Sequence, residues 1–157
     1  MGKREVRVVV VPKRVTALLL VLVSAAMVAL LYFLSGKAYV LDSHPAAEVV
    51  RRLLRRDDPS RTAILVALMP VIANALFFVP WGFLMFIVLD APRRPRRRTY
   101  LITVVAAATF ATGMELWQIF LPTRVTSAVD AAANTLGALA GAMAGHLRKE
   151  INVRFEH

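Results

Sequence analysis

The feature that most constrains this chain is a series of apolar stretches of about twenty residues. They occupy residues 15–34, 64–89, 100–121 and 128–147. A helix of that length spans the roughly 30 Å hydrocarbon core of a bilayer, because it rises about 1.5 Å per residue. With 58% hydrophobic residues, the 157-residue chain has room for these segments and for no second domain. We therefore predict an all-α membrane protein, one domain over 1–157, with four transmembrane helices.

The connections between the segments differ in length. Residues 122–127 alone join the last two, which predicts that helices 3 and 4 form a tight antiparallel hairpin. The connection 35–63 is longer, and Ser43–Asp58 within it alternates apolar residues with arginine pairs. That amphipathic pattern is typical of a helix on a membrane surface, and equally of a solvated loop helix that covers the bundle.

The net charge of +10 comes from basic residues that flank the apolar segments. Such residues set topology and contact anionic lipid headgroups, and no basic run has the interleaved aromatics of a nucleic-acid site. With the N-terminus inside, the cytoplasmic segments 1–14, 90–99 and 148–157 hold thirteen Lys and Arg, against seven in the outside segments. We predict that both termini are cytoplasmic.

The chain lacks cysteine, and its three histidines, His44, His146 and His157, lie far apart in sequence. Thiolate sites and disulfides are therefore excluded, and no known spacing of metal ligands occurs. We expect neither a metal nor a cofactor.

Polar side chains interrupt the last two apolar segments. Glu115 and Gln118 share one face of helix 3, and Asp130 and Asn134 share one face of helix 4. If helix 3 ends at 121, Glu115 lies roughly 10 Å below its outer end, level with Asn134, while Gln118 lies nearer Asp130. A carboxylate at that depth must be paired, solvated or protonated, so Glu115 is the residue least easily explained by structure alone.

Two further residues complete the candidate pocket: Asn74 on helix 2, and Arg124 in the corner between helices 3 and 4. Each neighbour of Glu115 also has a structural interpretation. Asp130 with Ser127 fits a capping box, the two asparagines fit interhelical hydrogen bonds, and Arg124 fits a headgroup or capping partner.

Gly137, Gly141 and Gly145 recur every four residues on helix 4. They remove side chains from one ridge and allow another helix to approach closely. The pattern indicates packing, and it leaves open whether the partner is a helix of the same chain or of a second copy.

These residues together resemble the VanZ-like family of small bacterial integral membrane proteins. The motifs that carry the resemblance are NALFFVPWGF (Asn74–Phe83), Glu115-x-x-Gln118, Arg124, Asp130 and Asn134-Thr-Leu-Gly137. The resemblance covers about residues 64–147. The family is named after a protein that lowers susceptibility to the glycopeptide teicoplanin. It implies a multi-pass protein of the bacterial cytoplasmic (inner) membrane, part of the cell envelope.

Three functions agree with these observations. The first is a non-enzymatic VanZ-like protein that affects glycopeptide susceptibility by binding a lipid-like or lipid-linked ligand in an outer-leaflet polar pocket. The second is a membrane enzyme that acts on a lipid-linked substrate with Glu115 and Asp130 as acid and base. The third is a packing subunit of a larger membrane complex, assembled through the glycine ridge. We take the first as the interpretation to test.

Overall fold

A computed structural model of the chain describes residues 12–35, 55, 60–118, 120 and 128–150. In order along the chain, the helices within them are α1 Lys13–Ser35, α2 Arg61–Leu89, α3 Arg96–Gln118 and α4 Ala128–Glu150. The described part contains no strand, which confirms the all-α fold class. The amphipathic segment Ser43–Asp58, apart from Arg55, and the corner 122–127 lie outside the described residues.

The helix ends follow from local chemistry. The side chain of Ser60 accepts a hydrogen bond from the backbone N–H of Ala63 at 3.2 Å, which caps the start of α2. The α3 helix begins at Arg96, earlier than the predicted residue 100, because Pro95 precedes it and its carbonyl accepts the first helical hydrogen bonds. Its arginines therefore extend the helix beyond the apolar segment.

Three of the described helices are long and apolar enough to cross a membrane: α1, α2 and α3. The α4 helix has the same length as α1 and α3, 23 residues, but it is built largely from alanine and glycine with polar residues among them. A membrane protein is therefore indicated, while the number of four spans stays a prediction.

Contacts between helices fix their relative directions. Trp81 donates its indole N–H to the Ser24 hydroxyl at 3.0 Å, and Lys13 at the start of α1 donates to the carbonyl of Asp90 just after α2. The α1 and α2 helices are therefore antiparallel. Tyr100, at the start of α3, lies 2.8 Å from His146 near the end of α4, so these two helices also run in opposite directions.

The closest backbone packing joins α2 and α4, which run parallel. A Cβ atom at Gly137 would overlap the backbone carbonyl of Ala75, and one at Gly141 would overlap that of Val79. A Cβ atom at Gly145 would lie 3.2 Å from a ring carbon of Phe86 and 3.3 Å from the Phe83 carbonyl oxygen, so this glycine completes the ridge. The glycine ridge of α4 is thus in contact with α2 of the same chain.

The α4 helix packs against α2 and α3, whereas α1 is the outer member of the bundle and packs mainly against α2. Ala133, Ala138 and Ala142 are at most 4% exposed, since α2 and α3 cover them. In α1, by contrast, only Thr16 and Met27 are buried among the side chains that the structure describes. This packing explains how α4 tolerates its buried polar residues, because neighbouring helices rather than lipid surround them.

Candidate functional site

Two polar side chains of α3 are buried in its last turn. Glu115 is 9% exposed and Gln118 is 6% exposed. The helix ends at Gln118, not at 121 as predicted, and Phe120 lies in a turn whose N–H donates to the Trp117 carbonyl at 3.1 Å. Glu115 is therefore about 4.5 Å from the end of its helix, closer than the expected 10 Å.

Asn134 of α4 is 6% exposed, and its amide oxygen has no hydrogen-bond partner among the residues that the structure describes. The next residue, Thr135, behaves differently: its hydroxyl donates to the Ala131 carbonyl at 2.8 Å within the same helix. A buried polar atom without a partner costs about 1–3 kcal/mol, so its presence needs a reason. The reason can be a ligand that supplies a donor.

The contact between Tyr100 and His146 sets the heights of the polar groups on the two helices. Counting about 1.5 Å per residue from that contact puts Glu115 about 22 Å along the bundle, Asp130 about 24 Å and Asn134 about 18 Å. Gln118 lies about 27 Å along it by the same rise. By this count Glu115, Asp130 and Asn134 lie within about 6 Å of one another in height, and the predicted pairing of Glu115 with Asn134 stays a prediction. The four groups share one end of the bundle within about two helical turns.

The remaining candidates have different surroundings. Asn74 in α2 and Asp130 in the first turn of α4 are half-buried. Arg124, like the Ser127 of the expected capping box, lies outside the described residues. Within the described part of the chain, no three His, Asp or Glu side chains gather as they would around a metal ion.

An apolar groove between α1 and α3 adjoins Gln118. It has two connected parts, of about 250 Å³ and about 800 Å³. Val28, Tyr32, Phe110 and Trp117 line both parts. The smaller part reaches Gln118, so one polar side chain of the candidate site faces an apolar space.

The floor of the groove is formed by an aromatic cluster with its polar atoms paired. Trp81 stacks on Phe110 with ring centroids 5.7 Å apart, and its N–H donates to Ser24. The Ser24 hydroxyl in turn donates to the Leu20 carbonyl at 2.8 Å. Trp81 is 5% exposed, so it belongs to the core of the bundle. The bond to Ser24 was missed, since nothing in the spacing of the two residues signals it.

A second cluster lies at the opposite, basic end of the bundle. His146 lies 2.7 Å from an Arg96 nitrogen through Nε2 and 2.8 Å from the Tyr100 hydroxyl through Nδ1. Because a guanidinium only donates, Nε2 accepts, and a neutral imidazole then donates from Nδ1 to the tyrosine. Phe86 stacks on the ring with centroids 6.0 Å apart. The cluster joins α2, α3 and α4, so His146 has a structural role that the sequence analysis missed.

Comparison with known proteins shows the family of this chain. A family model, VanZ/LLP1, matches residues 16–149. No curated protein and no solved structure matches the chain. The match extends beyond the region 64–147 on which the resemblance rested and includes most of α1. The chain belongs to the VanZ/LLP1 family.

Proposed function

We propose that this VanZ/LLP1-family protein is a non-enzymatic protein of the bacterial cell envelope that binds an amphiphile. The polar head of the ligand lies at Glu115, Gln118 and Asn134. The observation that carries the proposal is the buried Asn134 oxygen, which lacks a partner among the described residues. A ligand hydroxyl or amide N–H would supply the missing hydrogen bond.

Gln118 connects this polar region to the apolar groove. It belongs to the same buried end of α3 as Glu115 and also lines the smaller part of the groove. A ligand with a hydrogen-bonding head and an apolar tail matches that juxtaposition. Lipid-linked envelope precursors and lipoglycopeptides both have this build, so altered susceptibility to teicoplanin would follow if either were bound.

The basic end of the bundle supports an orientation in the bacterial cytoplasmic membrane. Among the side chains that the structure describes, the cations that gather there, beside one carboxylate at Asp90, are Lys13, Arg14, Arg93, Arg94, Arg96, Arg97, Arg98 and Arg148. Under the positive-inside rule this end faces the cytoplasm and contacts anionic headgroups. Glu115 and Gln118 then belong to the outer leaflet.

Orientation is tested by single cysteines in the naturally cysteine-free chain. Cysteines at Gly36 and Thr126 should react with a membrane-impermeant thiol reagent added outside the cell. A cysteine at Pro95 should react only after the membrane is opened. Labelling of Pro95→Cys from outside would show that the protein has the opposite orientation.

The binding proposal is tested with Glu115→Gln. The amide keeps the shape and most of the hydrogen bonds, so the fold should be retained. Native mass spectrometry should show loss of a co-purifying amphiphile, and cells should lose any effect of the protein on glycopeptide susceptibility. If Glu115 instead acts only as the structural partner of Arg124, stability should fall by about 3 kcal/mol or more, and Arg124→Gln should restore part of it. Normal stability with full retention of the amphiphile would refute both roles.

Two alternatives from the sequence are separated by further observations. The glycine ridge, which suggested a packing subunit, is covered by α2 of the same chain, so it offers less to a partner protein. An acid–base enzyme would use Glu115 and Asp130, which the helix register puts at nearly the same height. Turnover of a lipid-linked substrate that disappears in Asp130→Asn would favour the enzyme.

A further inference from the structure

We propose that the groove between α1 and α3 holds one hydrocarbon chain about as long as a single leaflet. The ligand is then an acyl-chain amphiphile, not one built on a long polyisoprenoid. This inference rests on the proposed function and names the ligand class of the same site.

The length of the groove along α1 is close to the thickness of one leaflet. Along α1, the residues that line the groove run from Leu20 to Tyr32. At about 1.5 Å per residue this is about 18 Å. Half of the hydrocarbon core, one leaflet, is about 15 Å. A chain whose head lies near Gln118 would therefore reach the Leu20 end at about the middle of the membrane. A much longer chain would have to leave the groove there.

The floor of the groove is apolar, which suits a hydrocarbon chain. The Trp81 N–H and the Ser24 hydroxyl, the polar groups at the floor, are bonded to one another and to the Leu20 carbonyl. The floor therefore offers an occupant apolar surface. Phe110 and Trp81 stack against each other and Phe110 also contacts Phe78, which is fully buried. Aromatic side chains held in this way form a wall that exists before the ligand binds.

Gly113 lines the groove next to Gln118. A Cβ atom at Gly113 would meet nothing within 4 Å, whereas one at Gly82, Gly137 or Gly141 would overlap the backbone of another helix. Glycine in a helix interior costs about 0.5–1 kcal/mol relative to alanine. Nothing among the described helices requires glycine here for packing. Its absent side chain keeps the groove open where a chain passes from the polar site.

The experiment uses the two tryptophans of the chain, both of which line the groove. Trp117→Phe leaves the largely buried Trp81 as the single fluorophore. The protein is reconstituted in phosphatidylcholine nanodiscs and titrated with a lysophosphatidylglycerol whose stearoyl chain is brominated near its middle. Bromine quenches tryptophan on contact. We expect saturable quenching of Trp81 at a low mole fraction of the probe.

The test variant is Gly113→Leu, whose Cβ atom would meet nothing within 4 Å and whose remaining side chain should fill the groove. It should raise the probe mole fraction at half-maximal quenching about tenfold, which is the effect of losing contact with about two methylene groups. Thr112→Leu is the matched control, since Thr112 is exposed and outside the groove lining. It should leave the titration unchanged. Gly113→Ala adds a single methyl group and should give an intermediate probe mole fraction at half-maximal quenching. Because alanine is favoured over glycine in a helix, a loss of binding in this variant would not come from misfolding.

Three outcomes would overturn the inference. The first is quenching that rises linearly with probe and is equal in Gly113→Leu, as expected if bulk lipid merely exchanges through the groove. The second is protection of Trp81 from the probe in all variants. The third is displacement of the probe by a polyprenyl phosphate as effectively as by unbrominated lysophosphatidylglycerol.

The proposed function and this inference can be refuted independently of each other. If Glu115→Gln and Asn134→Leu leave probe affinity intact while Gly113→Leu weakens it, the tail groove stands and the polar site falls. If the polar variants lose the amphiphile while Gly113→Leu binds normally, the polar site stands and the tail lies elsewhere.

Discussion

The α2–α4 pair and the α1–α3 pair show two opposite ways of placing helices side by side. Between α2 and α4 the backbones are in direct contact, because Gly137 and Gly141 have no side chain that would hold the two helices apart. Between α1 and α3 a groove of several hundred cubic ångströms remains. The first pair fixes the bundle and leaves no room for a ligand. The second has the room, and the buried polar residues of α3 lie at its end.

Glycine occurs in both regions, yet with opposite consequences. Gly141 is required by the neighbouring backbone, while Gly113 faces open space. The role of a glycine is therefore decided by what its missing side chain would have met. The following substitutions, ordered by the size of the expected effect, test this difference.

Gly141→Leu should have the largest effect. Even the first side-chain atom would overlap the carbonyl of Val79, and another backbone atom, the nitrogen of Phe83, lies 2.7 Å from it. Overpacking usually costs about 1–3 kcal/mol, and a clash with backbone lies at or above the upper end of that range. Thermal unfolding in mild detergent should show loss of the folded protein. The same change at Gly113 is the control and should leave stability near wild type. Equal stability of the two variants would contradict the α2–α4 contact.

Ser24→Ala should have the next largest effect, because it leaves the Trp81 N–H unpaired at the floor of the groove. An unsatisfied buried donor costs about 1–3 kcal/mol, although hydrogen bonds between membrane helices average about 0.6 kcal/mol. We expect a loss of about 1 kcal/mol in unfolding free energy and a shifted Trp81 emission. Ser24→Thr retains a hydroxyl and serves as the control. An unchanged emission spectrum in Ser24→Ala would mean that the bond does not persist in the membrane.

Asn134→Leu should separate stability from binding. The substitution removes a buried amide whose oxygen has no partner in the described part of the chain. Leucine of similar size should leave the free energy of unfolding unchanged or raise it by up to about 1 kcal/mol, while retention of the amphiphile is lost. Paired measurements of thermal stability and native mass would show both. A clear loss of stability would instead make Asn134 a packing residue.

Gly113→Ala should have the smallest effect and the opposite sign from Gly141→Leu. Because the added methyl group meets nothing, only helix propensity changes, and it favours alanine by about 0.5–1 kcal/mol. A higher midpoint in chemical denaturation would follow. A lower midpoint would show that α3 is packed more closely there than the structure describes.

The sequence predicted much of this architecture, because the signals involved are local. Apolar length indicated the helices, and the spacing of Gly137 and Gly141 indicated a close helix contact. The sequence could not say which helix the ridge meets, since that depends on how non-adjacent segments assemble. It also could not fix the end of α3, which the structure places at Gln118.

The candidate site was predictable in its members but not in its surroundings. Polar residues in apolar segments are visible in any sequence, and Glu115, Gln118 and Asn134 are indeed buried. The groove was not predicted, because it forms between helices that are not adjacent in sequence and most of its lining residues are ordinary apolar side chains. The one local signal was Gly113, an unexplained glycine inside an apolar helix.

The parallel pairing of α2 and α4 also bears on how the protein is made. Ala75 and Gly137 touch although they are sixty-two positions apart in sequence, and all of α3 is synthesised between them. This close backbone contact must therefore wait until α4 leaves the ribosome, with loop closure as its entropic cost. Until then α2, with Pro70 and Pro80 in its interior, is in the bilayer without its main partner. We expect nascent chains that stop before residue 128 to be degraded faster than full-length chains.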